Sequence, residues 1–154
     1  MTNSLFNKSD YDSIVSRINK LSDDSKNQWG KMTVNQMICH VTDPFRDVMN
    51  VRNTKPVIPS FLRPIAKKFI ITVKPWKPNT PTMKLYKQGD GGNGTKPTNF
   101  ENDKKVLLDF LSNFSSVDKN YQFGNHGGLG KLTRDENGFL MWKHLDHHLR
   151  SFGV

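Results

Sequence analysis

Apolar side chains recur at helical spacing in four separate stretches of this 154-residue chain, and no comparable stretch alternates with the period of a strand. Such periodicity is the primary signal of local structure, because it decides which face of a segment can be buried. In the first stretch, Ser9 is a candidate N-cap with Asp12 three residues later. Tyr11, Ile14, Val15, Ile18 and Leu21 form its stripe, which ends near Ser22. The second opens on a capping box of Thr33 and Gln36, with Met32 and Met37 in the positions of a hydrophobic staple, and buries Met37, Val41, Phe45 and Val48. The third starts at Thr98 with Glu101 as box partner and carries Val106, Leu107, Phe110, Leu111 and Phe114. The fourth starts at Thr133 with Glu136 and runs to about Phe152 on Met141, Leu145 and Leu149. Four amphipathic helices with one long crossover between the second and third predict an all-α fold, a four-helix bundle spanning residues 1–154 as one domain.

Charge marks out the crossover. Residues 51–97 hold ten basic side chains against one acid, Asp90, so this segment carries the whole net charge of +9 and the rest of the chain is balanced. Seven of the eight prolines and Gly89, Gly91, Gly92 and Gly94 lie in it, which predicts irregular chain with turns. The one cysteine, Cys39, excludes an internal disulfide, and the start of the chain lacks a charged, apolar leader, so a reducing cytoplasm is expected. The densest apolar run, residues 69–73, is far short of the ~20 residues that span a bilayer.

Helical phase places three of the five histidines at the edge of the predicted core. His144 and His148 are one turn apart, and both border the stripe of Met141, Leu145, Leu149 and Phe152 when each residue is turned by about 100°. His147, at about −60° from His144 by the same count, leans towards solvent, as do Lys143, Asp146 and Arg150. On the second helix His40 flanks Met37, Val41, Phe45 and Val48 in the same way. Three imidazoles drawn from two helices fit an open metal site, which needs nitrogens at roughly 2.0–2.1 Å from the ion.

The surroundings of His40 add detail. Pro44 lies four residues on, inside a pattern that otherwise continues, and cannot donate to the His40 carbonyl; the alternative is that Asp43 caps a new helix there. Asp43 and Asp47 fall roughly on the His40 side, where they could orient ligands or act as a base, although ordinary surface charge is the simpler expectation for each. Cys39 points away from the site and is a poor ligand or nucleophile.

Trp29-Gly30-Lys31-Met32-Thr33, Gln36-Met37-Ile38-Cys39-His40, and Lys143-His144-Leu145-Asp146-His147-His148-Leu149-Arg150 with Phe152-Gly153 together resemble the DinB/YfiT-like superfamily, and more narrowly a branch known as a domain of unknown function. The resemblance covers both flanks of the chain and is weakest over 51–97. It implies a DinB-like four-helix bundle with a long link after the second helix, and nickel or zinc held by His40, His144 and His148. Relatives of this kind include thiol-dependent S-transferases, a mycothiol-dependent isomerase and metal-dependent hydrolases. The resemblance therefore implies a divalent metal, a low-molecular-weight thiol as candidate cosubstrate, a small-molecule substrate and a homodimer, without selecting one reaction.

One segment departs from the branch. Where relatives have His-Pro, aromatic residues and Gly-Lys-Leu, this chain has His126-Gly127-Gly128-Leu129-Gly130-Lys131-Leu132, which predicts a more flexible loop before the last helix. His126 is then a fourth ligand, an acid/base group at the pocket mouth or, as the simplest reading, a surface histidine. The loop is no phosphate cradle, since five residues separate Gly124 from Gly130 and Leu132 stands where Ser or Thr is required.

Readings without a metal stay beside these. The three histidines could be buried, hydrogen-bonded members of a non-catalytic binding module. The basic segment, with Phe61, Phe69, Trp76 and Tyr86 interleaved, could grip nucleic acid, though it carries no recognisable motif for it. It could equally draw an anionic substrate to the site. Attachment of residues 61–73 to an anionic membrane surface has the least support, because Arg63 and Pro64 interrupt the amphipathic run.

Overall fold

The computed structural model of the chain describes residues 3–72 and 74–154. Met1 and Thr2 of the expected leaderless start, and Val73 at the end of the apolar run, lie outside the described residues. Among the described residues the fold is all-helical: α1 (Lys8–Asn19), α2 (Val34–Val48), a 3-10 turn (Ser60–Leu62), α3 (Arg63–Ile70), α4 (Phe100–Ser115) and α5 (Arg134–Ser151), with no strand. No described helix is long and apolar enough to cross a membrane.

Local chemistry sets the helix starts. Both capping boxes form: Thr33 accepts from the Gln36 amide while Gln36 reaches back, and Thr133 and Glu136 do the same. Two expected starts are shifted. Asn7, not Ser9, precedes α1, and Asp10 in its first turn gathers the Ser4 amide and the Asn3 and Asn7 side chains. Asn99, not Thr98, caps α4 by accepting from the Asn102 amide. Thr98 instead gives both its amide and its hydroxyl to Asp103. Asparagine caps as well as threonine does, so the adjacent pair was decided by the second bond available to Thr98.

Four helices share one core. α2 packs on α4 and α5, and α1 on α5 and α4. Ile14 and Ile18 of α1, Met37, Val41, Phe45 and Val48 of α2, Leu107, Leu111 and Phe114 of α4, and Met141, Leu145 and Leu149 of α5 meet there. Val106 and Phe110 are only half-buried. α2 runs unbroken through Pro44, so the proline opens no new helix.

The crossover is less irregular than expected. Pro64 sits in the first turn of α3, where a missing N–H costs nothing, so it starts this helix and does not interrupt it. Ala66 and Ile70 of α3, with Ile58, Ile71 and Trp76, cover a second small core of Leu129, Leu132 and Leu140. Two carboxylates of α2 fasten the rest. Asp43 accepts from Arg52 and from both the amide and the hydroxyl of Thr95, and Asp47 accepts from Thr54 and the Tyr86 hydroxyl. Both are 0% exposed, which corrects their reading as surface charge. Stripping a buried ion pair of one partner typically costs several kcal/mol. Asp43→Ala should therefore lower stability by about 3 kcal/mol in urea denaturation and speed amide exchange around Thr95, whereas Asp12→Ala on the exposed face of α1 should change neither.

Candidate metal centre

The three histidines that helical phase placed at the core border converge. His40 on α2 and His144 and His148 on α5 offer ring nitrogens that all lie within 4.8 Å of one another. His40 Nε2 is 3.0 Å from His148 Nε2 and 2.9 Å from His144 Nε2. The three rings stand edge to face, with centroids 4.6–4.8 Å apart. All three have pKa values lowered, chiefly by burial, with the neighbouring histidines adding to the effect for His144 and His148. The imidazoles are therefore neutral at pH 7, the form in which a ring nitrogen has a lone pair to give.

Hydrogen bonding alone does not satisfy this cluster. His40 Nδ1 lies 2.8 Å from the Tyr86 carbonyl oxygen, which can only accept, so Nδ1 carries the proton and Nε2 presents one lone pair. One lone pair can accept from His144 or from His148, but not well from both. A divalent cation shared by three Nε2 lone pairs removes the conflict. Nitrogens at roughly 2.0–2.1 Å from a common ion are about 3.0–3.4 Å apart, close to the two separations from His40 Nε2 to its neighbours. The donor set thus fits a divalent metal held by His40, His144 and His148. Neutral imidazoles suit nickel and zinc alike.

The residues behind the cluster run back into α2. The Tyr86 hydroxyl donates to Asp47 at 2.6 Å and accepts from the Gly127 amide at 2.9 Å. Asp47 thus fixes Tyr86, whose carbonyl orients His40. The pKa of Asp47 is raised by burial, with the bonds from Thr54 and Tyr86 opposing that rise. Burial also pushes the Tyr86 phenol far above its ordinary value. Asp47 and Asp43 position groups here, and neither lines the cavity in front of the histidines. Tyr86 had no signature in the sequence, because what it contributes to His40 is a backbone carbonyl.

His126 is buried, not a surface histidine, and does not belong to the three-nitrogen cluster. Its Nδ1 accepts from the amides of Gly128 and Leu129 at 3.2 and 3.3 Å, which leaves the proton on Nε2. Burial pushes its pKa down to about 4. It is a neutral N–H donor lining the same cavity as the three ligands. The glycines beside it do not loosen the loop. His126 and Gly130 exchange both backbone hydrogen bonds, and a Cβ at Gly127 would lie 2.5 Å from the Tyr86 hydroxyl. Close packing requires glycine there, so the expectation of a flexible loop is corrected.

The face of α5 expected to be solvated is covered in part: Arg150 is exposed and Asp146 half-buried, but His147 and Lys143 are buried. His147 is 4% exposed, between Trp29 and Trp76, with ring centroids 4.9 and 5.6 Å away. Lys143 is buried and donates to the carbonyls of Ile70 and Thr72, with its ammonium 4.9 Å from the Trp76 ring. Burial brings its pKa down to about 8. Asp146 pairs with Arg17 and Arg150, tying α5 to α1. Helical phase missed these burials because it measures direction relative to the main core and cannot see the crossover lying over the opposite flank. Cys39 is as expected: burial and the Asp103 carboxylate push its thiol up to about 12, and it stays out of the site.

A cavity of about 390 Å³ opens in front of the cluster. Met83, Leu140, Met141, Ile58, Phe69 and Trp76 make its walls largely apolar, and no lysine or arginine lines it. A second, more polar cavity of about 680 Å³ shares His147, His148, Thr80 and Thr82 with it and is bordered by Lys31 and Lys87. Comparison of the chain with protein-family models, with curated proteins and with solved structures finds no match.

Buried neutral histidines make stability depend on acid. An unfolded histidine titrates near 6.5, and His126 in the fold only near 4. Between those values the unfolded chain binds more protons, so stability is full above about pH 6.5 and falls as pH drops towards 4. Urea denaturation of the metal-free protein should show a loss of a few kcal/mol over this window, and His126→Gln should flatten part of the slope.

Proposed function

We propose that the chain is a divalent-metal-dependent enzyme of DinB-like type, a four-helix bundle whose metal is held by His40, His144 and His148. The convergence of three Nε2 atoms, two pairs of them at 2.9–3.0 Å, carries this reading. The likeness of the His40 and His144 to His148 segments to that superfamily supports it from the sequence side. A divalent ion at three imidazoles supplies Lewis acidity and lowers the pKa of a bound water or thiol, which is the common ground of hydrolases and thiol S-transferases.

The chain's own residues define what else the site does. Tyr86 and Asp47 hold His40 in one tautomer and one orientation. His126, neutral and protonated on Nε2, offers an N–H to a polar atom of the substrate and is no general acid at pH 7, given its low pKa. The apolar walls favour a small molecule with a hydrophobic body and exclude water around it. The cations of the basic segment stay outside this cavity, so the lining favours no anion. The adjoining polar cavity, with Lys31 and Lys87 at its border, is where a charged cosubstrate such as a low-molecular-weight thiol would approach.

The alternative, nucleic-acid binding by the basic segment, loses two of its four aromatic side chains. Tyr86 is buried with its hydroxyl bonded to Asp47 and the Gly127 amide, and Trp76 packs against Lys143 and His147.

Metal analysis of protein prepared without a chelating tag tests the proposal. One equivalent of nickel or zinc is expected, and replacing His40, His144 and His148 together by alanine should abolish it. A triple variant with unchanged metal content and melting temperature would sink the metal site. Tyr86→Phe, which frees Asp47 and the Gly127 amide, should weaken metal binding by about 10-fold, the lower end of effects for groups that orient ligands. A competition titration with a chromogenic chelator measures this.

A further inference from the structure

Among the described residues, α3 and the 3-10 turn before it leave one row of large apolar side chains uncovered. Phe61, Ile65 and Phe69, each four residues from the next, are 76%, 58% and 72% exposed, and Leu62 is exposed beside them. The opposite side of the same helix explains why they face out. Ala66 and Ile70 pack on the Leu129, Leu132 and Leu140 core, Arg63 donates to the Ile58 carbonyl, and Lys67 reaches the Lys131 carbonyl and Glu136. The helix is thereby fixed with its apolar row outward. Exposed lysines accompany the row: Lys68 on the helix, Lys55 before it, and Lys74 and Lys77 after it. The one acid of residues 51–97 is Asp90.

We infer that this face docks on an anionic lipid bilayer, with Phe61, Ile65 and Phe69 entering the headgroup boundary and the lysines meeting the lipid charge. Charge complementarity selects this occupant. A second copy of the chain would bring two lysine-rich faces together around a two-fold axis, where like charges repel. Nucleic acid could use the phenylalanines for stacking but has no use for Ile65 and Leu62. An interfacial helix, in contrast, combines an apolar face with flanking lysines, and its binding scales with buried apolar area and attraction to anionic lipid. Phe69 also lines the cavity in front of the histidine cluster, so docking would set the mouth of that cavity at the lipid surface.

Flotation of the full-length protein with vesicles tests the inference. It should float with phosphatidylglycerol vesicles and not with phosphatidylcholine, and added salt should lower the bound fraction severalfold. The double variant Phe61→Ser with Ile65→Ser should lose at least 10-fold in partitioning while keeping its melting temperature, since both side chains are exposed. Lys68→Glu should weaken binding by a smaller factor. Docking requires no metal, so chelated and metal-loaded protein should float alike even if the metal site fails its own test. Absence of flotation with phosphatidylglycerol, or flotation indifferent to the double variant, overturns the inference. So does a solution dimer that the double variant dissociates, or binding of single-stranded nucleic acid without flotation.

Discussion

Two carboxylates buried on one side of α2 hold the rest of the structure in place. Asp43 and Asp47 are wholly removed from water in a helix that already gives its other sides to α4 and α5. A charge in that position is tolerable only if its oxygens are filled by donors. The hydrogen-bond donors come from the crossover, Arg52 and Thr54 from its first residues, Tyr86 from its middle and Thr95 from its end, while Arg46 of α2 adds a looser ion pair to Asp43 at 3.7 Å. A segment rich in proline and glycine, with little periodicity of its own, thus acquires a defined path at points more than 40 residues apart in sequence. Entropy opposes ordering such a chain, and buried charge-assisted bonds are among the few local interactions strong enough to offset it.

The same path makes the candidate centre. Tyr86 is brought to Asp47 by its hydroxyl and so presents its carbonyl to His40. Gly127 donates to the Tyr86 hydroxyl, which sets the loop that turns His126 into the cavity. Trp76 closes the far side against His144, His147 and Lys143. Helices α2 and α5 supply the three imidazoles, whereas the crossover supplies the carbonyl that sets the tautomer of His40 and, with Leu140 and Met141 of α5, the apolar walls. Pro44 belongs to this arrangement: it withholds the helical amide that would meet the His40 carbonyl, without ending the helix.

What could be read from the sequence follows from how far each determinant reaches along the chain. The boxes at Thr33 and Thr133 are three-residue interactions and are found where they were expected. The placement of His40, His144 and His148 was legible because the main core itself defines the reference direction. Asn99 takes the cap expected of Thr98, because both residue types can cap and the choice rests on a longer-range bond from Thr98 to Asp103. His147, Lys143, Asp43 and Asp47 were read as solvated or surface groups, and His126 as a surface loop residue. Their burial depends on the crossover and the packed 124–130 loop, which carry no periodic signal. Polar groups buried by an aperiodic segment are invisible to helical phase, since composition marks them as exposed whichever face they occupy.

The positive charge of the crossover divides along the same line. Arg52, Arg63 and Lys67 are turned inward, to a carboxylate and to backbone carbonyls, and fasten the segment. Lys55, Lys68, Lys74, Lys77, Lys84, Lys87 and Lys96 remain at the surface, the first four of them flanking the apolar row of α3 in sequence, and the segment's one acid is Asp90. Three cations suffice to anchor the chain, so the surplus does not contribute to the fold and, through mutual repulsion, weakly opposes it. In sequence the first four flank the part of the described surface where several large apolar side chains also lack cover, and a partner that is at once apolar and anionic accounts for both features together.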